Sequence, residues 1–217
     1  MVHRGQKGLQ PPYRQQQPST VLTIQGSTTS HGGSNRYDAR GTDAEYIEFP
    51  TYDRTRIGAL IQQYLDGNYD VPPEVAALLY AADRYQMADE IRSVMAGGGV
   101  VVADRYSQSN YAFQAAAAGD DTSMLDWMQQ VESRLPQPDL VILLDIPPET
   151  ARELMRDERK EQDVHEEDLA FQRRVADRYR ELARQKGWTV IDVVEDGELR
   201  SKEDIAAEIW DRVEQLD

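Results

Sequence analysis

Two short stretches are apolar without interruption: Val100–Ala103 in "GGGVVVADRY" and Leu140–Leu144 in "PDLVILLDI". A strand that meets water on one side alternates apolar and polar residues. A run with no polar residue belongs to a strand covered on both faces. Such strands mark a parallel sheet with helices packed on each side, alternating with helical patterns along the chain. Those patterns are present. Ile57, Leu60, Ile61, Tyr64 and Leu65 recur at helical spacing, and "PPEVAALLYAADRYQMADEIRSVMA" opens on prolines and runs to the stop at Gly97–Gly99. "TSMLDWMQQVESRL", the stretch "PPETARELMRDERKEQDVHEEDLAFQRRVADRYRELARQ" outside its charged middle, and "SKEDIAAEIWDRVEQL" also read as helices. "TVLTIQ", "EYIEF" and "WTVIDV" read as further strands, and no internal repeat interrupts the alternation.

With 217 residues the chain is long enough for one full core. It has no cysteine, which excludes disulfides and thiolate metal sites, and His3, His31 and His165 are scattered. A formal charge of −15 argues against general nucleic-acid binding, which needs cations for the phosphates. No apolar run approaches the roughly 20 residues of a membrane span, and no signal-peptide pattern is present, so the expected location is cytoplasmic.

The charge is uneven. Residues 1–42 carry Arg4, Lys7, Arg14, Arg36 and Arg40 against the single acid Asp38, and the acidic, well-patterned sequence begins near Thr42. Residues 1–19 are rich in Gln and Pro and poor in aliphatics, and are expected to form a disordered tail. "GSTTSHGGSNRYDARGT" reads as loop.

Ligands of open parallel sheets bind beyond the carboxyl ends of the strands. Asp104 and Arg105 stand at such an end. A carboxylate there can hold hydrated Mg²⁺, and a guanidinium can grip a phosphate in bidentate fashion. An ion pair or a helix cap is the structural alternative. Upstream, Tyr80 and Arg84 are one helical turn apart and can stack on and hydrogen-bond a base. Downstream, Ser109, Asn110, Phe113 and Gln114 share a helical period. Each of these alone is as well explained by ordinary helix packing.

Taken in order, "FP", "LLYAADRYQ", "VVVADRYSQSNYAFQ", "LPQPDLVILLDIPPETA" and "FQRRVADRYRELA" resemble the thymidylate kinase family of P-loop nucleoside-monophosphate kinases, from Glu45 to the end of the chain. The resemblance implies an α/β fold in three layers, with a five-stranded parallel sheet flanked by helices, in a homodimer. It implies a domain over 20–217, with 20–44 a degenerate P-loop region and 152–165 a lid. The implied activity is Mg²⁺-dependent phosphoryl transfer from ATP to dTMP. Asp104 would organise the metal, and Arg105 the dTMP phosphate. Tyr80 and Arg84 would meet the thymine, with Asn110, Ser109 and Gln114 beside it. Phe113 would pack under the sugar, and Phe49-Pro50 would shape the pocket. In the lid, Arg159 and then Arg156 are the catalytic candidates, with Arg152 and Lys160 nearby.

The donor side departs from the family. In place of G-x-x-x-x-G-K-[ST] stands "QGSTTSHGGS", whose Gly26, Gly32, Gly33 and Ser34 are the candidate phosphate-loop residues. Gly33 occupies the lysine position, and no Lys occurs between Lys7 and Lys160. A catalytically impaired nucleotide-binding protein, or a shifted reading frame over residues 1–42, is the alternative.

Overall fold

The computed structural model describes residues 20–25, 44–117, 119, 122–158 and 166–216. The expected tail, the glycine-rich segment 26–43 and Arg159–His165 of the lid lie outside the described residues. In chain order the elements are β1 (Thr20–Gln25), β2 (Ala44–Glu48), α1 (Arg56–Leu65), α2 (Pro73–Ala96), β3 (Val100–Asp104), α3 (Ser107–Ala117) and α4 (Thr122–Val131). Then come β4 (Leu140–Asp145), α5 (Pro148–Glu158), α6 (Glu166–Lys186), β5 (Thr189–Asp192), β6 (Val194–Glu195), β7 (Glu198–Leu199) and α7 (Lys202–Val213).

The central sheet has five strands in the order β2-β3-β1-β4-β5. The pairs β2–β3 and β4–β5 are parallel, as the apolar runs predict. β1 departs from the expected all-parallel sheet, because it runs antiparallel to both neighbours, with Leu22 opposite Asp104 and Ile142. A parallel partner requires a crossover of a dozen or more residues, usually a helix. The sequence between Gln25 and Ala44 carries no helical period that would supply one.

Alternation along each strand sorts side chains to two faces. Val101 and Ala103 join Ile47, Phe49, Met87, Ala88 and Ile91, so α2 lies on one face over β2 and β3. Leu143 joins Ala112, Ala116, Phe171, Val175 and Tyr179, which seats α3 and α6 on that same side over β4. On the opposite face Ile24, Val100, Ile142 and Ile191 pack with Val213, Ile205, Ile209 and Trp210, and the helix there, among the described residues, is α7.

Local chemistry explains the element ends. Thr55 caps α1 by accepting from Gly58 N–H at 2.8 Å, and Ser201 caps α7 by accepting from Asp204 N–H at 3.0 Å. The small hairpin β6–β7 was not read from the sequence. Its turn residues Asp196 and Gly197 have φ of 51° and 84°, and an Asp-Gly turn between two short strands is its signal.

Where α1 meets the loop after β2, the backbones nearly touch. A Cβ on Gly58 would lie 2.3 Å from the Thr51 carbonyl oxygen. The substitution Gly58→Ala therefore forces α1 away from the loop. It is expected to destabilise the protein by about 1–3 kcal/mol, read as a lowered midpoint in urea unfolding.

Candidate functional site

β3 ends on Asp104, and the next residue turns the chain. Arg105 has φ of 59°, the left-handed region that a non-glycine residue rarely occupies. Such a conformation costs about 1–3 kcal/mol and persists where the surroundings enforce it. Tyr106, fully buried, pins the turn by packing against Phe49, with ring centroids 5.5 Å apart. The turn leaves Asp104 and Arg105 half-buried at the carboxyl end of the sheet, and Arg105 Nε is buried without a hydrogen-bond partner.

On the α7 side of the sheet, three side chains share one face by strand alternation and register. Glu48 stands opposite Asp104 in the parallel ladder, and Tyr46 lies two residues before Glu48. The Tyr46 hydroxyl donates to Asp104 Oδ2 at 3.3 Å. Burial, with Asp104 and Glu48 beside it, pushes the Tyr46 hydroxyl up to about 12. Two carboxylates at adjacent strand ends, open to solvent on one side, form a donor set suited to Mg²⁺, which keeps several waters and takes one or two carboxylates.

On the other side lies a wall of tyrosines. Burial raises the Tyr80 hydroxyl well above its ordinary value, with Tyr64, Tyr52, Arg84 and Arg105 close enough to act on it. Tyr52 is raised by burial and opposed by Arg105. Tyr179, raised by burial, is close to Ser109, Arg105 and Asp104. Thus the Arg105 charge acts on Tyr52, Tyr80 and Tyr179, as well as on Tyr46.

The consecutive pair Asp83 and Arg84 on α2 divides its work. Asp83 is buried and accepts from Thr51 N–H at 2.8 Å, Thr51 Oγ1 at 2.6 Å and Thr55 Oγ1 at 2.5 Å. It therefore fixes the loop that follows Phe49-Pro50, whose peptide bond is cis. Arg84, 2% exposed, donates through Nη2 to Glu132 Oε1, itself 1% exposed just after α4. Asn110 Nδ2 donates to the same Oε1 at 3.2 Å and to the Ala77 carbonyl at 3.3 Å. Tyr111, raised by burial first and by Glu132 second, adds its hydroxyl to the cluster. Arg84 Nε and Asn110 Oδ1 are buried without partners. Each orphan costs about 1–3 kcal/mol unless a ligand satisfies it.

The structure therefore brings together Asp104, Arg105, Tyr80, Arg84, Ser109, Asn110, Phe49 and Pro50 around the end of β3 and the facing turns of α2 and α3. Gln114 is buried further along α3. Phe113 packs on Phe171 and Tyr179 at 6.2 and 6.3 Å, which ties it to α6. Arg156 belongs to the last turn of α5, whereas Arg159, Gly26, Gly32, Gly33 and Ser34 lie outside the described residues. Gln25, from which the glycine segment continues, sits opposite Val101 at the edge of the sheet away from Asp104. A phosphate loop after a parallel strand would begin at the other edge. Glu132 was missed in the sequence. A lone acid two residues before the "RLPQPDL" segment reads as helix surface, and only the fold shows that α2, α3 and α4 converge on it.

Comparison with known proteins follows this geometry. A family model described as thymidylate kinase matches residues 27–205. The thymidylate kinase of Danio rerio is 34% identical over 181 residues, covering 81% of this chain and 78% of its own length. The probable thymidylate kinase of Pyrobaculum aerophilum is 32% identical over 161 residues, covering 74% and 78%. Among solved structures, thymidylate kinase from Candida albicans superposes with a TM-score of 0.61 at 25% identity, covering 79% of each chain.

Two outcomes are expected. Asp83→Ala leaves Thr51 N–H buried without an acceptor and should lower stability by about 1–3 kcal/mol in urea unfolding. The raised tyrosines set an alkaline limit. Below pH 10 each is protonated folded or unfolded and stability is unaffected. Above it the unfolded chain loses protons that the folded one keeps, so stability falls as pH rises through 10 toward 12, read by circular dichroism.

Proposed function

The chain belongs to the thymidylate kinase family, and from that premise we propose that it transfers the terminal phosphoryl group of ATP to dTMP, giving dTDP and ADP. The observation that carries the reading is the strained turn at Arg105, which holds an unpartnered guanidinium nitrogen beside Asp104 and facing the tyrosine wall. Strain kept at a charged strand end is a mark of a working site.

Arg105 grips the acceptor phosphate and aligns one of its oxygens for in-line attack. Tyr80 stacks on the thymine, while Arg84 and Asn110 meet its edge, with Ser109 and Gln114 behind them. Phe49-Pro50, locked through Asp83, walls the pocket, and Phe113 limits the sugar side. Asp104, aided by Glu48 and oriented by Tyr46, would hold Mg²⁺. Bound there, the metal would supply charge neutralisation to the phosphates. Catalysis then comes from positioning and electrostatics, with no covalent intermediate on the enzyme. Residues 152–165 serve as the lid over a domain spanning 20–217, and Arg159 or Arg156 brings a cation to the transferring group. The reading rests on the acceptor side and assigns no donor-phosphate role to Gly26, Gly32, Gly33 and Ser34, which follow the end of β1 away from Asp104.

The reading places the protein in the cytoplasm as a homodimer. Among the described residues no helix is long and apolar enough to cross a membrane. Val75, Leu78 and Tyr85 of α2 are exposed large apolar side chains, as is Leu60 of α1, and such residues suit the face of a second copy. Leu78→Asp should convert dimer to monomer in sedimentation.

The direct test is ADP release coupled to dTMP, together with separate titrations of dTMP and ATP. Arg105→Gly removes the guanidinium and relaxes the backbone at once. It should lower kcat/KM for dTMP by about 10²–10³ while the melting temperature holds. Retained activity in that variant, or no dTMP turnover by the native chain, would overturn the assignment.

A further inference from the structure

We propose that Glu132 is the positioning residue that sets which nucleobase the site accepts, by fixing the hydrogen-bonding polarity of Asn110 and the position of Arg84. The inference deepens the thymidylate reading and rests on it.

Asn110 Nδ2 faces two groups that can only accept, the Ala77 carbonyl and the Glu132 carboxylate, at 3.3 and 3.2 Å. The amide cannot be turned over, because its oxygen would then meet two oxygens. Both donor hydrogens are thereby consumed, and what Asn110 retains is an acceptor, Oδ1, buried and unpartnered. The same Glu132 oxygen takes one donor of Arg84 and leaves Nε, buried and unpartnered, as a donor. The carboxylate thus fixes the one ambiguous side chain, Asn110, as an acceptor and anchors beside it Arg84, which can only donate. An imide edge, with an N–H flanked by carbonyl oxygens, complements that pair. The edge of cytosine, with a ring-nitrogen acceptor and an amino donor, opposes Asn110 Oδ1 with an acceptor at the ring position. Sites built to pair a substrate group reject analogues of the wrong polarity far more strongly than apolar pockets reject size.

Glu132 is 1% exposed and sits on neither of the two helices that carry the base-facing residues. Its effect on a nucleotide is therefore exerted through Arg84 and Asn110. With a neutral Gln at 132 the side-chain amide can present either oxygen or NH₂ to Asn110, and only the Ala77 carbonyl then opposes turnover of the Asn110 amide.

The experiment is calorimetric binding of dTMP and dCMP to the full chain, native and Glu132→Gln. The native chain should prefer dTMP, and the substitution should shrink the ratio of the two dissociation constants by about tenfold or more, through weaker dTMP and stronger dCMP binding. A merely structural role would weaken both nucleotides alike and leave the ratio unchanged, which overturns the proposal. If Glu132→Gln does not fold, Glu132→Asp keeps the charge but draws the carboxylate back from Asn110 and Arg84. It should move the ratio in the same direction, and an unmoved ratio there is equally fatal. Failure of the native chain to bind dTMP at all would instead sink the thymidylate reading, so the two failures are distinguishable.

Discussion

The site depends on the reversal of the backbone where β3 ends. Four residues of that strand are apolar and buried or nearly so, and pairing on both sides holds it in the sheet. The strand cannot shift its register by one residue without turning Val101 and Ala103 out of their cluster. Because the strand is fixed, the left-handed turn at Arg105 is fixed too, with Tyr106 packed beneath it. That turn separates the site into two halves. Asp104 stays with Tyr46 and Glu48 on one face, and the Arg105 charge reaches the tyrosines on both. A carboxylate and a guanidinium thus stand side by side at the end of one strand.

Two consecutive helical residues show how the scaffold and the site are joined. Asp83 uses its charge to hold the loop after Phe49-Pro50, and Arg84 spends its own on Glu132. Neither is at the surface. Removing one member of a buried charged pair leaves the other uncompensated in a low-dielectric setting, which is far costlier than losing an exposed ion pair. The contrast is with Arg92–Asp89 on the outside of α2, a solvated pair of little energetic weight.

Much of this was legible in the residues. The unbroken apolar runs announced β3 and β4, the prolines and glycines bounded α2, and the Asp-Arg pair marked the end of β3. What escaped has physical causes. The direction of β1 depends on the path of the connection to β2, and a six-residue strand pattern is the same read up or down the sheet. Glu132 is polar by composition and buried by tertiary convergence, which no local pattern encodes. Arg84 is expected at a base from its spacing to Tyr80, yet its burial and its carboxylate partner belong to the fold and not to its place in "AADRYQ". The β6–β7 hairpin, by contrast, carried an Asp-Gly signal that local reading can recover.

The order β2-β3-β1-β4-β5 makes β1 a seam. Without it the sheet is two separate two-stranded pieces, one carrying Asp104 and the tyrosine of β2, the other carrying the last strands and α7. The match to the family model begins at residue 27, so the segment that sews these pieces together lies upstream of the matched sequence. Stability and catalysis in this chain are therefore coupled through its least family-like stretch. Any shortened form that starts beyond Gln25 keeps the site's named side chains but loses the backbone ladder that fastens the β3 half to the β4 half.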